Sequence, residues 1–200
     1  VAYRADIEAG LWQKAEQFCL FGHPIADLAG SRLGLAGYGA LGKSVAAIAR
    51  AFGMEVVVFN RSPVEDEGVV QVSWDELLEM SDVLSLHLPL NDKTRNMIGA
   101  PELVRMKRSA LLINTARGGL VDEQALADAL RAGVIGGAGF DVLTQEPPPA
   151  DNPLLNLRLP NFILTPHSAW ASSQAMQVLA DQLIDNVEAW VAGVPRNVVA

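Results

Sequence analysis

Apolar and polar positions change their period several times along the chain. Between residues 3 and 18, Ile7, Leu11, Ala15 and Phe18 recur at spacings of four, four and three, with Arg4, Glu8, Lys14 and Glu16 off that stripe. This pattern predicts an amphipathic helix over 3–18. A loop from Gly22 to Ser31 follows, and short apolar runs then alternate with helical stretches. Strands are expected at 32–36, 55–60, 82–88, 110–114, 134–140 and 162–165, and helices at 41–52, 73–80, 101–107 and 122–132. Ser73-Trp74-Asp75-Glu76 has the form of a capping box, and Asp122 is an N-cap candidate. The last element, about 172–192, is a long amphipathic helix with Met176, Leu179, Leu183, Val187 and Trp190 as its stripe and Gly193 and Pro195 as its stop.

Runs such as Val56-Val57-Val58-Phe59 are apolar on both faces, which suits a parallel strand covered by helices above and below. The βαβα alternation therefore predicts an α/β fold: a doubly wound parallel sheet of Rossmann type with flanking helices.

Composition narrows the function classes. Half of the 200 residues are apolar and 19% are charged, which excludes intrinsic disorder. The balance of 15 basic against 23 acidic residues, a net charge of −8, argues against nucleic acid or an anionic membrane as partner. No apolar run approaches the ~18 residues of a membrane span, and Val1-Ala2-Tyr3-Arg4-Ala5-Asp6 has no signal-peptide core. Cys19 is the single cysteine, so no internal disulfide is available; a cytoplasmic setting is expected, with Cys19 read as a small core hydrophobe. The chain opens on Val1 rather than Met, and it is expected to be a piece of something longer.

Gly37-Tyr38-Gly39-Ala40-Leu41-Gly42-Lys43-Ser44 satisfies two patterns at once: the G-x-G-x-x-G of a dinucleotide fold and the G-x-x-x-x-G-K-S of a phosphate-binding loop. Both use backbone N–H groups at a helix N-terminus to face an anion. The dinucleotide pattern needs a strand before, a helix after and a ribose-reading position at the end of the next strand; Asn60, 18 residues beyond Gly42, occupies that position. The phosphotransferase alternative needs a magnesium-holding carboxylate after an apolar strand, and Gly139-Phe140-Asp141 supports it poorly. Lys43 is then an ordinary surface lysine.

A carboxylate at position 60 would accept from ribose hydroxyls and repel a 2′-phosphate. Neutral Asn60 removes that repulsion, Arg61 offers a charge-assisted fork and Ser62 a hydroxyl, so NADP(H) is expected over NAD(H). Three further segments combine strand ends with polar and glycine residues: 113–119 with Arg117, 136–147 with Glu146, and 164–170 with His167. Ligands bind at the carboxyl ends of an open parallel sheet, so these three side chains are candidates to converge there. Each has an ordinary role open to it as well: Glu146 in a proline turn, Arg117 capping a helix, His167 in the core.

Taken together, Gly37–Gly42, Leu86-His87-Leu88-Pro89-Leu90 with Thr94, Asn114–Gly119, Phe140–Val142 with Glu146-Pro147, and Thr165–His167 resemble the cofactor domain of the D-2-hydroxyacid dehydrogenase family. The spacings of 29 and 21 between arginine, glutamate and histidine are compatible with it. The resemblance implies Arg117, Glu146 and His167 as the catalytic set. It implies that the backbone of the glycine loop around Ala40 and Leu41 holds a pyrophosphate and that Leu88, Pro89 and Thr94 line the adenosine side. Thr115, Ala116 and Asp141 would flank the nicotinamide, with Arg117, His167 and Ala169 also near the cofactor. The chemistry is coherent: reducing a 2-keto acid takes a hydride, a proton for the carbonyl oxygen and a cation for the carboxylate. His167 suits the proton, Glu146 would orient its ring and favour the protonated form, and Arg117 would grip the carboxylate.

Pro166-His167-Ser168-Ala169-Trp170-Ala171-Ser172 is similar to the segment of glyoxylate, hydroxypyruvate and glycerate-type members, and a bulky indole beside the site favours small polar substrates. His87 and His23 are read as structural, and no metal site is expected. A competing class on the same fold is a dinucleotide-sensing corepressor-like protein. The resemblance also implies a homodimer and an N-terminal substrate domain of about a hundred residues outside this chain. Residues 1–20 would then be a connecting helix, and 172–192 would return to that domain with its stripe partly uncovered here. Such a fragment is expected to bind dinucleotide and to turn over poorly.

Overall fold

The computed structural model of the chain describes residues 2–198. It divides into two compact units, one up to Thr165 and one from Pro166 onward. The first unit is built on seven strands: β1 (Arg32–Ala36), β2 (Glu55–Phe59), β3 (Val69–Gln71), β4 (Val83–Leu86), β5 (Leu111–Asn114), β6 (Gly137–Phe140) and β7 (Phe162–Leu164). They lie in the order β3-β2-β1-β4-β5-β6-β7, and every pairing is parallel. The chain winds outward from β1 to β3, then returns to the other side of β1 to lay down β4. This is the doubly wound sheet that the alternation predicts.

The period-two alternation of a strand decides which helix each residue meets. Val56 and Val58 of β2 pack with Ala46 and Ala49 of α2 (Ala40–Ala51), while Val57 between them packs in a second cluster with Leu77 of α3 (Trp74–Met80). That second cluster continues through Leu103 of α4 (Ala100–Arg105) and Leu126 and Leu130 of α5 (Glu123–Ala132). Both expected caps form. The Ser73 hydroxyl and Glu76 carboxylate bond each other's backbone N–H, and the Asp122 carboxylate accepts from Gln124 and Ala125.

Two expectations are corrected. The helix over 3–18 is short: α1 spans Ala2–Glu8, with only a 3-10 turn at Trp12–Lys14 beyond it. Gly10 takes φ +72°, which breaks the helical path, and Phe18 is 90% exposed, so the spacing of Ile7, Leu11 and Phe18 marks no buried face. The helix expected over 1–20 is therefore only about two turns long, followed by irregular chain around that 3-10 turn. Cys19 is half-buried rather than a core residue. Strand β3 escaped the sequence reading because three residues at a sheet edge are too few to display a period.

In the second unit, α6 (Ser173–Val191) is capped by the Ser172 hydroxyl, which accepts from Ala175 N–H at 3.1 Å, and stops at Gly193 with φ +74°. None of its residues is buried, and the expected stripe is solvent-exposed, Leu183 at 64%. Among the described residues no helix is long and apolar enough to cross a membrane, and no group of three His, Cys, Asp or Glu could hold a metal ion.

One carboxylate ties the amino ends of the strands together. Asp82, just before β4, accepts from Arg32 N–H at 2.8 Å and from Lys107 Nζ at 2.7 Å. Burial pushes its carboxyl up, but the hydrogen bonds and charges of Lys107 and Arg32 outweigh this and hold it below the usual carboxylate range. A depressed carboxyl stabilises the fold above its ordinary pKa and loses that contribution as pH falls through the folded value. Asp82→Asn is expected to cost about 1 kcal/mol at pH 7, the side chain being over a third exposed and the pair correspondingly screened. Thermal melts check it: the gap between the two proteins should close well below pH 4.

Candidate functional site

The strand order reverses between β1 and β4, so the connections leaving their carboxyl ends diverge and open a crevice. The chain fills its rim from several loops. A cavity of about 750 Å³ is lined by Gly37, Tyr38 and Gly39 after β1, by Phe59, Asn60 and Arg61 at the end of β2, and by His87, Leu88 and Pro89 after β4. Trp74, Asn91, Lys93, Thr94 and Met97 complete it. Of the expected cofactor contacts, Gly37, Tyr38, Gly39, Asn60, Arg61, Leu88, Pro89 and Thr94 thus share one cavity.

The glycine loop is shaped by close approach. Gly37 has φ +100°, and a Cβ there would lie 2.6 Å from His87 O. Gly42 is packed as tightly, its notional Cβ 2.5 Å from Gly37 O, so the loop folds back onto the first turn of α2. Gly39 differs: it is exposed, its backbone is ordinary extended chain at φ −81°, and nothing stands within 4 Å of the Cβ position. Protein packing therefore does not demand a glycine at 39. Open space at a helix N-terminus is what an incoming phosphate requires.

Asn60 does more than remove a charge. Its Oδ1 accepts from Tyr38 N–H at 3.2 Å and its Nδ2 donates to Ser62 O at 3.0 Å, bracing the glycine loop against the loop after β2. Gln71 of β3 donates to Asn60 O at 2.8 Å and accepts from Val64 N–H, holding the same loop from behind. The Tyr38 hydroxyl donates to Asp66 at 2.7 Å; burial, then the bond to Asp66, raises the phenol above its usual range. Asp66 does not line the cavity. Lys43 is exposed, its ammonium 5.7 Å from the centroid of the Tyr38 ring, and does not line the cavity.

His87 has a structural partner, Ser85 Oγ, 3.0 Å from its Nε2. Burial lowers its imidazole below the ordinary histidine range, so it adds no charge to the cavity near neutrality. Phe59 and Trp74 meet edge to face at 5.3 Å and give the cavity an aromatic wall. The sequence reading missed Phe59, Trp74, Asn91, Lys93, Met97 and Gln71. No local motif marks them, because only strand order brings them to the rim.

Beyond β5 and β6 lie the remaining candidates of the first unit. Buried Asn114 donates to Arg117 O at 2.9 Å and accepts from Ala116 N–H at 3.1 Å, which clamps residues 115–117 at the strand end. Arg117 is exposed, and its Nη1 donates to Ala116 O at 2.6 Å. Glu146 accepts from Leu143 N–H at 2.8 Å, and its loop is fastened by Glu123, which takes Thr144 N–H and the Asn152 amide. Buried Asp141 accepts from the Thr165 hydroxyl. In the second unit, His167 holds a left-handed φ of +50°, and Trp170 Nε1 donates to its carbonyl at 3.0 Å. Trp170 is therefore a brace of the histidine turn, and its ring borders an apolar groove of about 500 Å³ with Met176, Leu179 and Leu183.

Would a dinucleotide fit these residues? The open Gly39, the free N-terminal turn of α2, the aromatic wall and the basic residues of a cavity without a carboxylate all suit a phosphate-bearing aromatic ligand. Comparison with known proteins agrees. A glycerate dehydrogenase of Methylorubrum extorquens is 59% identical over 199 residues, covering 100% of this chain and 62% of its own. A D-lactate dehydrogenase with NAD+ from Lactobacillus jensenii superposes with TM-score 0.87 at 30% identity, over 100% of this chain and 62% of that one. An acyclic imino acid reductase in complex with NADPH and D-Arg gives TM-score 0.84 at 38% identity, over 98% and 63%. The chain spans about six-tenths of the length of these relatives. Residues 1–169 match the model of D-isomer specific 2-hydroxyacid dehydrogenase, NAD binding domain, and the chain belongs to that family.

Proposed function

We propose that this protein is an oxidoreductase transferring a hydride between NADP(H) and a small 2-keto acid and its D-2-hydroxy acid, of the glyoxylate/hydroxypyruvate type. The observation that carries the cofactor reading is the charge of the cavity: Arg61 and Lys93 line it, and no carboxylate does. A ribose-reading carboxylate would repel a 2′-phosphate, whereas neutral Asn60 beside Arg61 accepts one. The identity with a glycerate dehydrogenase supports the substrate class, since glycerate and hydroxypyruvate are the two ends of one such reaction.

In this reading the first turn of α2, from Ala40 and Leu41, presents its unpaired N–H groups to the pyrophosphate. Leu88, Pro89 and Thr94 border the adenosine, Ser62 the ribose side, and Thr115, Ala116 and Asp141 the nicotinamide, with His167 and Ala169 nearby. A bound reduced nicotinamide supplies the hydride. Arg117 binds the substrate carboxylate or polarises its keto group through its planar fork. His167 delivers the proton to the carbonyl oxygen, and Glu146 orients it. A cytoplasmic homodimer completes the reading; the exposed apolar side chains of Trp12, Phe18, Phe21 and Ile25 support self-association. A monomer in light scattering overturns that part.

The test is oxidation of NADPH and NADH by the purified full-length protein against glyoxylate, hydroxypyruvate and larger 2-keto acids. Turnover of the small acids and about tenfold tighter NADPH than NADH are expected. Tenfold tighter NADH overturns the cofactor reading. Tight cofactor binding without turnover of any acid overturns the enzyme reading in favour of a dinucleotide sensor.

A further inference from the structure

Building on the NADP(H) reading of this site, we propose that Lys93 is a second specificity-determining residue, its ammonium and the Arg61 guanidinium bracketing the cofactor's 2′-phosphate from opposite loops. Arg61 follows β2 and Lys93 follows β4, the two strands that flank β1, yet both line the one cavity. The two basic residues thus border the same space from loops on either side of the end of β1. Among the described residues neither side chain has an ion-pair partner, whereas Arg32, Arg105 and Lys107 are each paired to a carboxylate elsewhere. Asp92 adjoins Lys93 in sequence but does not line the cavity.

Both loops are pinned before any ligand arrives. Lys93 N–H donates to Asn91 Oδ1 at 2.9 Å, Asn91 N–H to Thr94 Oγ1 at 2.9 Å, and Thr94 Oγ1–H to Pro89 O at 2.7 Å. This closed set of bonds fixes the backbone of Lys93 at the rim. The backbone of Arg61 is held likewise, since Gln71 Nε2 donates to Asn60 O on one side of it and to Ser62 O on the other. Only side-chain rotamers remain to be ordered on binding, which keeps the entropic cost of the clamp small. A phosphate monoester carries about −1.5 to −2 charges near neutrality, matching two cations. A cofactor that ends in ribose hydroxyls brings no charge for the two cations to neutralise, so the pair raises affinity for NADP(H) and leaves that for NAD(H) unchanged.

The experiment measures dissociation constants of NADPH and NADH for the full-length protein and its Lys93→Gln, Lys93→Arg, Arg61→Gln and doubly substituted forms, at two salt concentrations. Lys93 is exposed, and melting temperatures verify that the variants fold. Lys93→Gln should weaken NADPH about tenfold, leave NADH unchanged and flatten the salt dependence of NADPH binding, with Lys93→Arg restoring affinity. If the parent protein prefers NADPH and Arg61→Gln abolishes the preference while Lys93→Gln keeps it, the role of Lys93 is overturned and the cofactor reading stands. Equal weakening of both cofactors by Lys93→Gln also overturns it. If the parent protein binds NADH as tightly as NADPH, the cofactor reading itself fails and the clamp with it.

Discussion

Replacing His167 with alanine in the full-length protein is expected to lower the turnover number for 2-keto acid reduction by about 10²–10⁴, the usual weight of a positioned proton donor. The keto oxygen gains negative charge as hydride arrives at its carbon, and without a donor that charge must wait for water. His167 is the one candidate with both a proton-transfer side chain and an unusual backbone. Its φ of +50° lies in the left-handed region, which costs a residue bearing a Cβ about 1–2 kcal/mol. The Trp170 indole holds that turn by bonding the His167 carbonyl, and Ser172 then caps α6. Strain maintained by a dedicated brace is the kind of observation from which a functional role is argued. Steady-state kinetics with NADPH and hydroxypyruvate check it. The variant should still bind cofactor with little loss, and turnover within tenfold of the parent would remove His167 from the chemistry.

Gly39→Asp should separate stability from binding in opposite directions. Gly39 is the N-cap of α2, with extended φ and ψ that aspartate adopts readily and with no atom near the Cβ position. Aspartate is a better N-cap than glycine and places a favourable charge at the helix N-terminus, so the melting temperature should hold or rise. The same carboxylate would occupy the space left for a phosphate and confront it with a like charge. At about 4 Å and an effective dielectric near 20, that repulsion is worth about 4 kcal/mol, so a loss of at least about 100-fold in dinucleotide affinity is expected. Titration calorimetry beside a thermal melt reads both. Unchanged affinity would show that the cofactor does not approach over Gly39. A collapsed melting temperature would show that the glycine serves the fold instead.

Much of the fold was legible residue by residue. Val56, Val57 and Val58 announce a doubly covered strand because a parallel strand buries both faces. Ser73 with Glu76, and Asp122, announce helix starts because a cap is a local bargain between side chain and backbone N–H groups. The same locality failed at 3–18, where Gly10 breaks a spacing that otherwise reads as a helix. It failed again at Val69–Gln71, where the strand exists only because β2 offers an edge to pair with. At the site, the glycine loop and the Asn60-Arg61-Ser62 turn were visible as contiguous motifs. Gln71 and Asn114 were not visible in their roles as braces, since neither their residue type nor their spacing distinguishes a brace from any other amide.

By itself, then, the sequence determined the order of the elements apart from β3, the glycine turn, the family and the residue types available for hydride-transfer chemistry. Each is carried by short motifs of neighbouring residues, and the family by the order and spacing of those motifs along the chain. Only the tertiary structure decided which loops face one another. Arg61 and Lys93 stand 32 positions apart in the chain and share a cavity because β2 and β4 pair on either side of β1. Trp74 forms a wall with Phe59 because α3 packs on the sheet beside the end of β2. Parallel pairing sets every carboxyl end on one edge, and the reversal of winding at β1 parts the connections there. Long-range order of that kind has no signature in any single stretch of chain.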